Sequence, residues 1–287
     1  MMNGIIVKGI GGFYYVDTGD TVYECKARGV FRKNRITPAI GDRVEIEVKN
    51  GKGSITEIHE RKTLLIRPAA ANIDALMLVI AAASPDPNLF LADKMLINAE
   101  VNGIEPIICI NKTDLADYAE IEDIYTKAGY RVVSVSAEKE EISDILMPYL
   151  KGRETAFAGL SGVGKSTILS QITGGRLETG EISEKIQRGK HTTRHVELFK
   201  LDEDTFVLDT PGFSSLEITD ISDMEASELS ECFPEMRNVT GCRFRGCSHI
   251  NEPDCAVKAL VESGDIAPSR YESYKTIYEI LKNRKKY

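Results

Sequence analysis

The sequence lacks the features that mark membrane-spanning, secreted and disordered proteins. Its longest apolar run, residues 75–83, is far shorter than the roughly 18 residues that a membrane-spanning helix needs. The first residues have neither the basic start nor the sustained apolar stretch of a signal peptide. With 42% hydrophobic and 28% charged residues, the composition is that of an ordinary globular protein, which we expect in the cytoplasm.

An excess of positive charge is also missing. The formal net charge of −8 argues against indiscriminate binding to nucleic acid. The charge is unevenly distributed, because residues 1–68 carry 12 Lys and Arg against 8 Asp and Glu, whereas the other residues carry 24 against 36. The N-terminal part can therefore contact RNA locally. The alternative is a domain with no such partner.

The chain has six cysteines, and three of them cluster with a histidine near the C-terminus. In a chain without a secretion signal this cluster indicates a metal site rather than disulfides. The spacing C-x4-C-x-H-x5-C joins Cys242, Cys247, His249 and Cys255. Three thiolates and an imidazole form a closed tetrahedral set for structural Zn²⁺, the alternative being a chance cluster. We expect the other cysteines to be packing residues.

The N-terminal region carries five short strand signals separated by turn residues. They are Gly4–Val7, Phe13–Val16, Val22–Ala27, Val44–Val48 and Ser54–Ile58. Five short strands in this length predict a small barrel of the OB or SH3-like kind. Between the third and fourth lies a basic stretch, Arg28–Arg35, which we interpret as a loop suited to phosphates and a stacked base. The alternative is a solvated loop.

After Arg67-Pro68 apolar strands alternate with helical stretches, which predicts a parallel sheet with crossover helices. The predicted strands are 75–83, 106–110, 131–135, 155–158 and 206–208, with an edge strand at 195–201. The predicted helices are 89–101, 118–128, 142–149 and 166–173. From about Ser222 the chain is predicted to be helical and irregular, with a last helix over 271–286.

A glycine-rich motif follows one predicted strand and opens a predicted helix. It matches G-x-x-x-x-G-K-[ST] and comprises Gly159, Leu160, Ser161, Gly162, Val163, Gly164, Lys165 and Ser166, with Thr167 next in the helix. The strand and helix are the context that this phosphate-binding motif requires. Its backbone N–H groups and the helix N-terminus surround phosphates. Lys165 is expected to reach the β and γ phosphates, and the Ser166 hydroxyl to ligate Mg²⁺.

Two further loops select the base. Asn111, Lys112, Thr113 and Asp114 follow a predicted strand. Guanine presents N1–H and an exocyclic amine as paired donors, so a carboxylate at Asp114 selects it over adenine by bidentate acceptance. Asn111 can hold the loop, and the Lys112 stem can lie along the ring. Ser136-Ala137-Glu138 resembles the short loop that supports guanine from the other side.

Downstream, Asp209-Thr210-Pro211-Gly212 ends a predicted strand. We expect Asp209 to hold the Mg²⁺ shell through water and the Gly212 N–H to sense the γ-phosphate. A polar loop over 188–193 is suited to closing over the nucleotide, with Thr193 completing the Mg²⁺ sphere. The alternative for this loop is an ordinary connection.

The order of these motifs is circularly permuted. Small GTPases run from the phosphate loop to N-K-x-D, whereas here N-K-T-D and S-A-E come first. The switch after Gly212 therefore runs directly into the C-terminal module, which suggests mechanical coupling between them.

The position after the D-x-x-G glycine holds Phe213 where many small GTPases have a water-orienting glutamine. A phenyl ring cannot orient water, so we predict slow intrinsic turnover. His191 is the best local candidate to bond the water. The alternative is a histidine that only packs or contacts a partner.

This combination closely resembles the RsgA family of ribosome small-subunit-dependent GTPases over essentially the whole chain. The resemblance implies a multidomain protein: an OB-fold β-barrel (1–66), a central α/β P-loop GTPase domain with permuted motifs (67–220) and a mostly α-helical zinc-binding domain (221–287). It implies GTP or GDP, Mg²⁺ and one structural Zn²⁺ as ligands. It further implies a monomer that acts late in small-subunit assembly and is stimulated by that subunit.

Three alternatives remain open. One is a permuted GTPase that serves the large subunit, and the second is a GTP-dependent RNA-binding switch with little hydrolysis. The third, a P-loop ATPase or kinase, requires Asp114 to be accidental. A second basic surface of the C-terminal part is predicted to face rRNA: Arg243, Arg245, Lys282, Arg284, Lys285 and Lys286.

Overall fold

The computed structural model describes residues 1–33, 35–65, 69–175, 196–210 and 224–284. These fall into two compact units that are interleaved along the chain. The first comprises Met1–Leu76, Glu141–Ala158 and Lys165–Phe213, and the second comprises Met77–Glu140, Gly159–Gly164 and Ser214–Tyr287. The predicted domain boundaries follow residue 66 and residue 220. Both lie outside the described residues, so they stay predictions.

Most of the described chain is in regular elements. The strands are β1 (Met2–Ile10), β2 (Phe13–Asp17), β3 (Val22–Ala27), β4 (Arg43–Lys49), β5 (Lys52–Ile58), β6 (Leu64–Leu65), β7 (Ala70–Ala71), β8 (Ala75–Ala81), β9 (Glu105–Asn111), β10 (Arg131–Ser134), β11 (Glu154–Ala158), β12 (Leu198–Lys200) and β13 (Phe206–Asp209). The helices are α1 (Gly29–Lys33), α2 (Leu89–Val101), α3 (Ala119–Lys127), α4 (Ser143–Leu150), α5 (Lys165–Ile172), a 3-10 helix (Ala226–Cys232), α6 (Ala256–Ser263) and α7 (Pro268–Lys282).

The first unit contains a closed five-stranded barrel. Its strand order is β1-β2-β3-β5-β4, with β1 also paired to β4, and only β3 and β5 run parallel. This order is the five-stranded Greek-key arrangement of an OB-fold, so the predicted barrel is confirmed. Alternate residues of the strands fill its centre, including Ile6, Val44 and Ile55, all fully buried. This alternation is what a half-buried antiparallel strand requires.

The interpretation of Arg28–Arg35 as a loop is wrong in part. Residues Gly29–Lys33 form the short helix α1. The reason lies in tertiary packing, because Phe31 is buried and belongs to the core of the barrel. The composition of this segment, one aromatic residue among basic ones, is typical of a loop. Here tertiary packing overrides that local preference, because the Phe31 ring is held in the core of the barrel.

The first unit also carries the strand that precedes the glycine-rich loop. In this unit β13 pairs in parallel with β11 and antiparallel with β12. Every residue of β11 is buried, as expected of a strand covered on both faces. The antiparallel β12 confirms the predicted edge strand over its described residues.

The second unit holds β9 and β10 in parallel register, with β9 next to β8. All seven residues of β8 are buried, so the long apolar run is a buried strand as predicted. The C-terminal helices pack around a second core that contains Phe233, Val257, Tyr274 and Ile277 together with Ile97 of α2. Helix α7 begins at Pro268, earlier than predicted, because proline suits the first helical turn.

Candidate nucleotide site and metal centre

The glycine-rich loop connects β11 to α5, and two of its glycines are sterically required. Gly159 has φ +143° and Gly164 has φ +98°, backbone conformations that residues with a side chain rarely adopt. A Cβ atom at Gly159 would collide with the Val79 carbonyl, and one at Gly164 with the Asn111 amide. Lys165, Ser166 and Thr167 open α5, as predicted, so the first turn of a helix follows the loop directly.

Asn111 ties two predicted nucleotide loops together. It is the last residue of β9 and is 2% exposed. Its side-chain Nδ2 donates to the Val163 carbonyl at 2.9 Å, and its Oδ1 accepts from the Ala137 N–H at 3.1 Å. A buried amide with both ends satisfied is costly to disturb. Asn111 therefore brings the glycine-rich loop and the S-A-E loop into one constellation.

Lys112 fastens the same loop from the opposite side. Its backbone lies in the left-handed region at φ +61°, which is strained for a residue with a Cβ atom. Its Nζ donates to the Gly162 carbonyl at 2.7 Å and to the Ser84 carbonyl. The ammonium group thus holds the glycine-rich loop to the segment that follows β8.

Asp114 presents its carboxylate at the surface of this constellation. The residue is exposed, and its Oδ1 accepts from the Ser136 Oγ at 2.5 Å. The Thr113 N–H donates to the Val135 carbonyl at 3.3 Å. A carboxylate has about four acceptor positions, so one bond to Ser136 leaves room for two donors of a base edge.

The sequence did not point to Glu140, which closes the S-A-E loop. Its Oε1 accepts from the Ser136 N–H at 2.7 Å, and its own N–H donates to the Ser136 carbonyl at 3.0 Å. A serine followed four residues later by a glutamate, just after a strand, is the signal that could have indicated this turn.

The candidate magnesium residues lie in the first unit. Ser166 is in the first turn of α5, and Asp209 ends β13 opposite Phe157 of β11. The Thr210 Oγ1 donates to the Phe157 carbonyl at 2.6 Å, which fixes the chain just after Asp209. Hydroxyl and carboxylate oxygens are donors that Mg²⁺ prefers, so the residues present fit this ion. His191, Thr193, Gly212 and Phe213 lie outside the described residues.

The predicted zinc ligands converge in the second unit. Their donor atoms all lie within 4.8 Å of one another. The His249 Nδ1 is 3.7 Å from the Cys242 Sγ and 3.3 Å from the Cys255 Sγ. A tetrahedron with Zn–S bonds of about 2.3 Å and Zn–N bonds of about 2.0 Å has edges of about 3.5–3.8 Å. Cys242, Cys247, His249 and Cys255 therefore fit a structural zinc ion.

Helix α7 supports the backbone of this cluster. The Tyr271 hydroxyl donates to the His249 carbonyl at 2.7 Å, and the Tyr274 hydroxyl donates to the Ser248 carbonyl at 2.8 Å. Glu252 accepts from the N–H and the hydroxyl of Ser248. Such contacts behind metal ligands fix their orientation.

Among the described residues, none of the helices combines the length and apolar character needed to cross a bilayer.

The chain is similar to known proteins along nearly its whole length. The sequence model of the RsgA N-terminal domain matches residues 3–55, and that of the RsgA GTPase matches residues 58–219. The small ribosomal subunit biogenesis GTPase RsgA of Clostridium botulinum strain Langeland is 49% identical over 294 residues, which cover 99% of each chain. The protein of the same name from Agathobacter rectalis is 47% identical, with 100% of each chain covered.

Two solved structures are similar over the whole chain. YloQ, described as a circularly permuted GTPase, aligns with a TM-score of 0.80 at 40% identity, covering 100% of this chain and 97% of YloQ. YjeQ from Thermotoga maritima aligns with a TM-score of 0.83 at 36% identity, covering 99% of each chain. The chain therefore belongs to the RsgA family of circularly permuted GTPases.

Proposed function

We propose that this GTPase hydrolyses GTP to GDP under stimulation by the small ribosomal subunit, late in the assembly of that subunit. The relatives at 47–49% identity are named for small-subunit biogenesis, which supports the partner. The observation that carries the choice of nucleotide is the exposed Asp114 carboxylate, set beside the loops that Asn111 joins. We further propose that the protein acts as a monomer in the cytoplasm.

In this proposal the guanine base is read by Asp114. Its carboxylate accepts from N1–H and from the exocyclic amine, the two donors that adenine cannot offer together. Asn111, Thr113, Ser136 and Ala137 hold the surrounding backbone, and the stem of Lys112 lines the base plane. Because Ser136 already fixes one carboxylate oxygen at 2.5 Å, the acceptor is positioned before the nucleotide arrives.

The phosphates are bound by backbone N–H groups of Gly159–Gly164 and by the N-terminus of α5. Lys165 neutralises charge on the β and γ phosphates. Mg²⁺, when bound, neutralises further charge on the phosphate oxygens. Ser166 would ligate this ion directly, Asp209 through water, and Thr193 as the last ligand.

Hydrolysis needs a positioned water, and the chain has no glutamine after Gly212 to supply it. We propose that the Gly212 N–H contacts the γ-phosphate and that His191 bonds the attacking water. With Phe213 at the usual glutamine position, turnover by the protein alone is slow. A partner that helps to position the water then increases the rate.

Contact with rRNA is proposed for two basic surfaces. The first is the segment Arg28–Arg35 of the barrel, in which Arg28 also pairs with Glu47 at 2.7 Å. The second lies in the C-terminal part of the chain and comprises Arg243, Arg245, Lys282 and Arg284. Arginine and lysine side chains at such surfaces bind phosphates without selecting sequence.

The test is GTP turnover by the purified protein alone, with small subunits and with large subunits. We expect strong stimulation by small subunits only, no turnover of ATP, and loss of the GTP reaction in Asp114→Ala. Glu120→Ala is the control, because it removes an exposed carboxylate from α3. Stimulation by large subunits would contradict the assignment of the partner. GTP binding without turnover in any of the mixtures would contradict the proposal that the protein hydrolyses GTP.

A further inference from the structure

We infer that Glu140 is a positioning residue for guanine recognition, acting through Ser136 on Asp114. The inference deepens the proposed function, because it rests on Asp114 as the base-reading group. The three residues form a continuous path: the Glu140 carboxylate holds the Ser136 N–H at 2.7 Å, and the Ser136 hydroxyl holds the Asp114 carboxylate at 2.5 Å.

Two of the three residues, Ser136 and Glu140, lie in one short turn that hydrogen bonds close at both ends. The Ser136 carbonyl accepts from the N–H groups of Lys139 at 2.9 Å and Glu140 at 3.0 Å, while the Glu140 side chain returns to the Ser136 N–H. A side chain that bonds a backbone group four residues earlier fixes the conformation of the turn. The position of the Ser136 hydroxyl therefore depends on the Glu140 carboxylate.

The middle of the path is buried, whereas both of its ends are exposed. Ser136 is 6% exposed, so its hydroxyl has little access to solvent as an alternative partner. Asp114 and Glu140 are exposed, and both are acceptors when ionised. Two carboxylates thus lie at opposite ends of one buried serine. In the proposed function Asp114 reads the base edge, and Glu140 holds the Ser136 N–H at the other end of the path.

The chemical consequence concerns the exocyclic amine of guanine. Bidentate acceptance from N1–H and the amine requires both oxygens of Asp114 to lie in the plane of the base. The Ser136 bond to Oδ1 fixes the rotation of this carboxylate. When the turn is released, N1–H can still find an oxygen, but the alignment of the second bond is lost. The discrimination between guanine and hypoxanthine, which lacks the amine, is then reduced.

The experiment measures equilibrium affinity of the full-length protein for GDP and IDP without ribosomal subunits. For Glu140→Ala we expect the preference for GDP over IDP to fall about three- to tenfold. Glu140→Gln keeps an acceptor at the same place and is expected to restore most of the preference. Glu120→Ala, which removes an exposed carboxylate from α3, controls for the change of charge and should keep the wild-type ratio.

A double-mutant cycle with Ser136→Ala tests the path itself. If Glu140 acts through the Ser136 hydroxyl, Glu140→Ala changes the GDP to IDP ratio less than twofold in the Ser136→Ala background. Thermal unfolding of each variant identifies a general loss of structure, which would weaken GDP and IDP together.

Equal weakening of GDP and IDP by Glu140→Ala, failure of Glu140→Gln to restore the ratio, or additive effects in the cycle would each overturn the inference. These results leave the proposed function intact as long as the wild-type protein prefers GDP over IDP and ADP. A wild-type protein without that preference would instead refute the reading of guanine by Asp114.

Discussion

In the proposed function a single side chain, Asp114, decides which nucleotide binds. It is exposed and already accepts one hydrogen bond from Ser136. In Asp114→Asn one acceptor oxygen becomes an N–H₂ donor, which opposes the guanine amine and suits the carbonyl of xanthine at the same ring position. We expect GTP affinity to fall by at least about a hundredfold and XTP to become the preferred nucleotide. Competition of GTP, XTP and ATP for binding checks this.

The wild-type protein under the same competition is the control, and it should reject XTP. An Asp114→Asn variant that still preferred GTP would show that the base is read elsewhere.

Glu154 is a buried carboxyl group whose ionisation opposes folding. It begins β11 in the first unit and pairs with Arg43. Burial raises its pKa from 4.5 to about 7, although Arg43 lowers it, and the neighbouring charges are Asp74 and Lys62. Because the folded pKa is raised, the stabilising contribution is complete below about pH 4.5 and is lost as the pH rises through about 7.

We therefore expect Glu154→Gln to lose less stability than the wild-type protein between pH 5 and pH 8. The difference in unfolding free energy between the two proteins should change by roughly 3 kcal/mol over this range. Urea unfolding at both pH values measures it, and groups common to both proteins cancel. Parallel pH profiles would contradict the assignment of a raised pKa to Glu154.

At the scale of elements, most of the fold could be predicted because the relevant signals are local. The alternation of the barrel strands, the apolar run that forms β8 and the strand, loop and helix around Gly159–Gly164 are each contained in a short window. Helix α1 could not be predicted, since it depends on the burial of Phe31 in the barrel core. Glu140 was missed for a related reason: only its spacing from Ser136, and not its residue type, indicates the hydrogen bond that its side chain makes.

Helices α2 and α7 are joined by a buried charge network that no sequence pattern indicated. Arg270 of α7 is 1% exposed and donates to Asp93 of α2 at 2.6 Å and to Glu235 at 2.7 Å. Burial works against its charge, but these two carboxylates more than offset this, so the pKa of Arg270 lies above its usual value. Its guanidinium also lies 4.6 Å from the centre of the Phe233 ring.

Arg270→Met should therefore cost about 3–5 kcal/mol, because it leaves two buried carboxylates without their partner. Chemical unfolding measures the loss. Lys275→Met is the matched control on the same helix. It removes an exposed pair with Glu272 and a contact of the ammonium with the Tyr271 ring, and it should cost less than about 2 kcal/mol. Similar costs for the two variants would mean that Asp93 and Glu235 are satisfied without Arg270.

The candidate zinc site also stabilises the packing of the C-terminal elements in our prediction. Cys247→Ser removes one of four ligands, and we expect the bound zinc to fall from one equivalent per chain to none, with a lower melting temperature. Metal analysis and thermal unfolding measure these changes. Cys232→Ser is the control, because Cys232 is buried beside Met224 and lies outside the ligand set. Full zinc content in Cys247→Ser would contradict the four-ligand assignment.

At the scale of the whole molecule, the distribution of charge matters more than its sum. A protein of net charge −8 would be repelled by rRNA if its charge were uniform. Residues 1–68 instead carry 12 basic and 8 acidic residues, and the barrel bears the basic segment Arg28–Arg35. This asymmetry predicts that the barrel approaches phosphates while the acidic remainder limits non-specific binding.

Salt dependence of binding to the small subunit tests this asymmetry, because each phosphate contact adds about 0.7–0.9 to the slope of log affinity against log salt. Lys33 and Arg35 are both exposed, so replacing both by glutamine should lower the slope by up to about 1.8 and weaken binding most at low salt. Replacing Lys127 and Lys151, exposed lysines outside the barrel, is the matched control and should leave the slope unchanged. An equal reduction in both pairs would mean that the whole surface, rather than the barrel, contacts the phosphates.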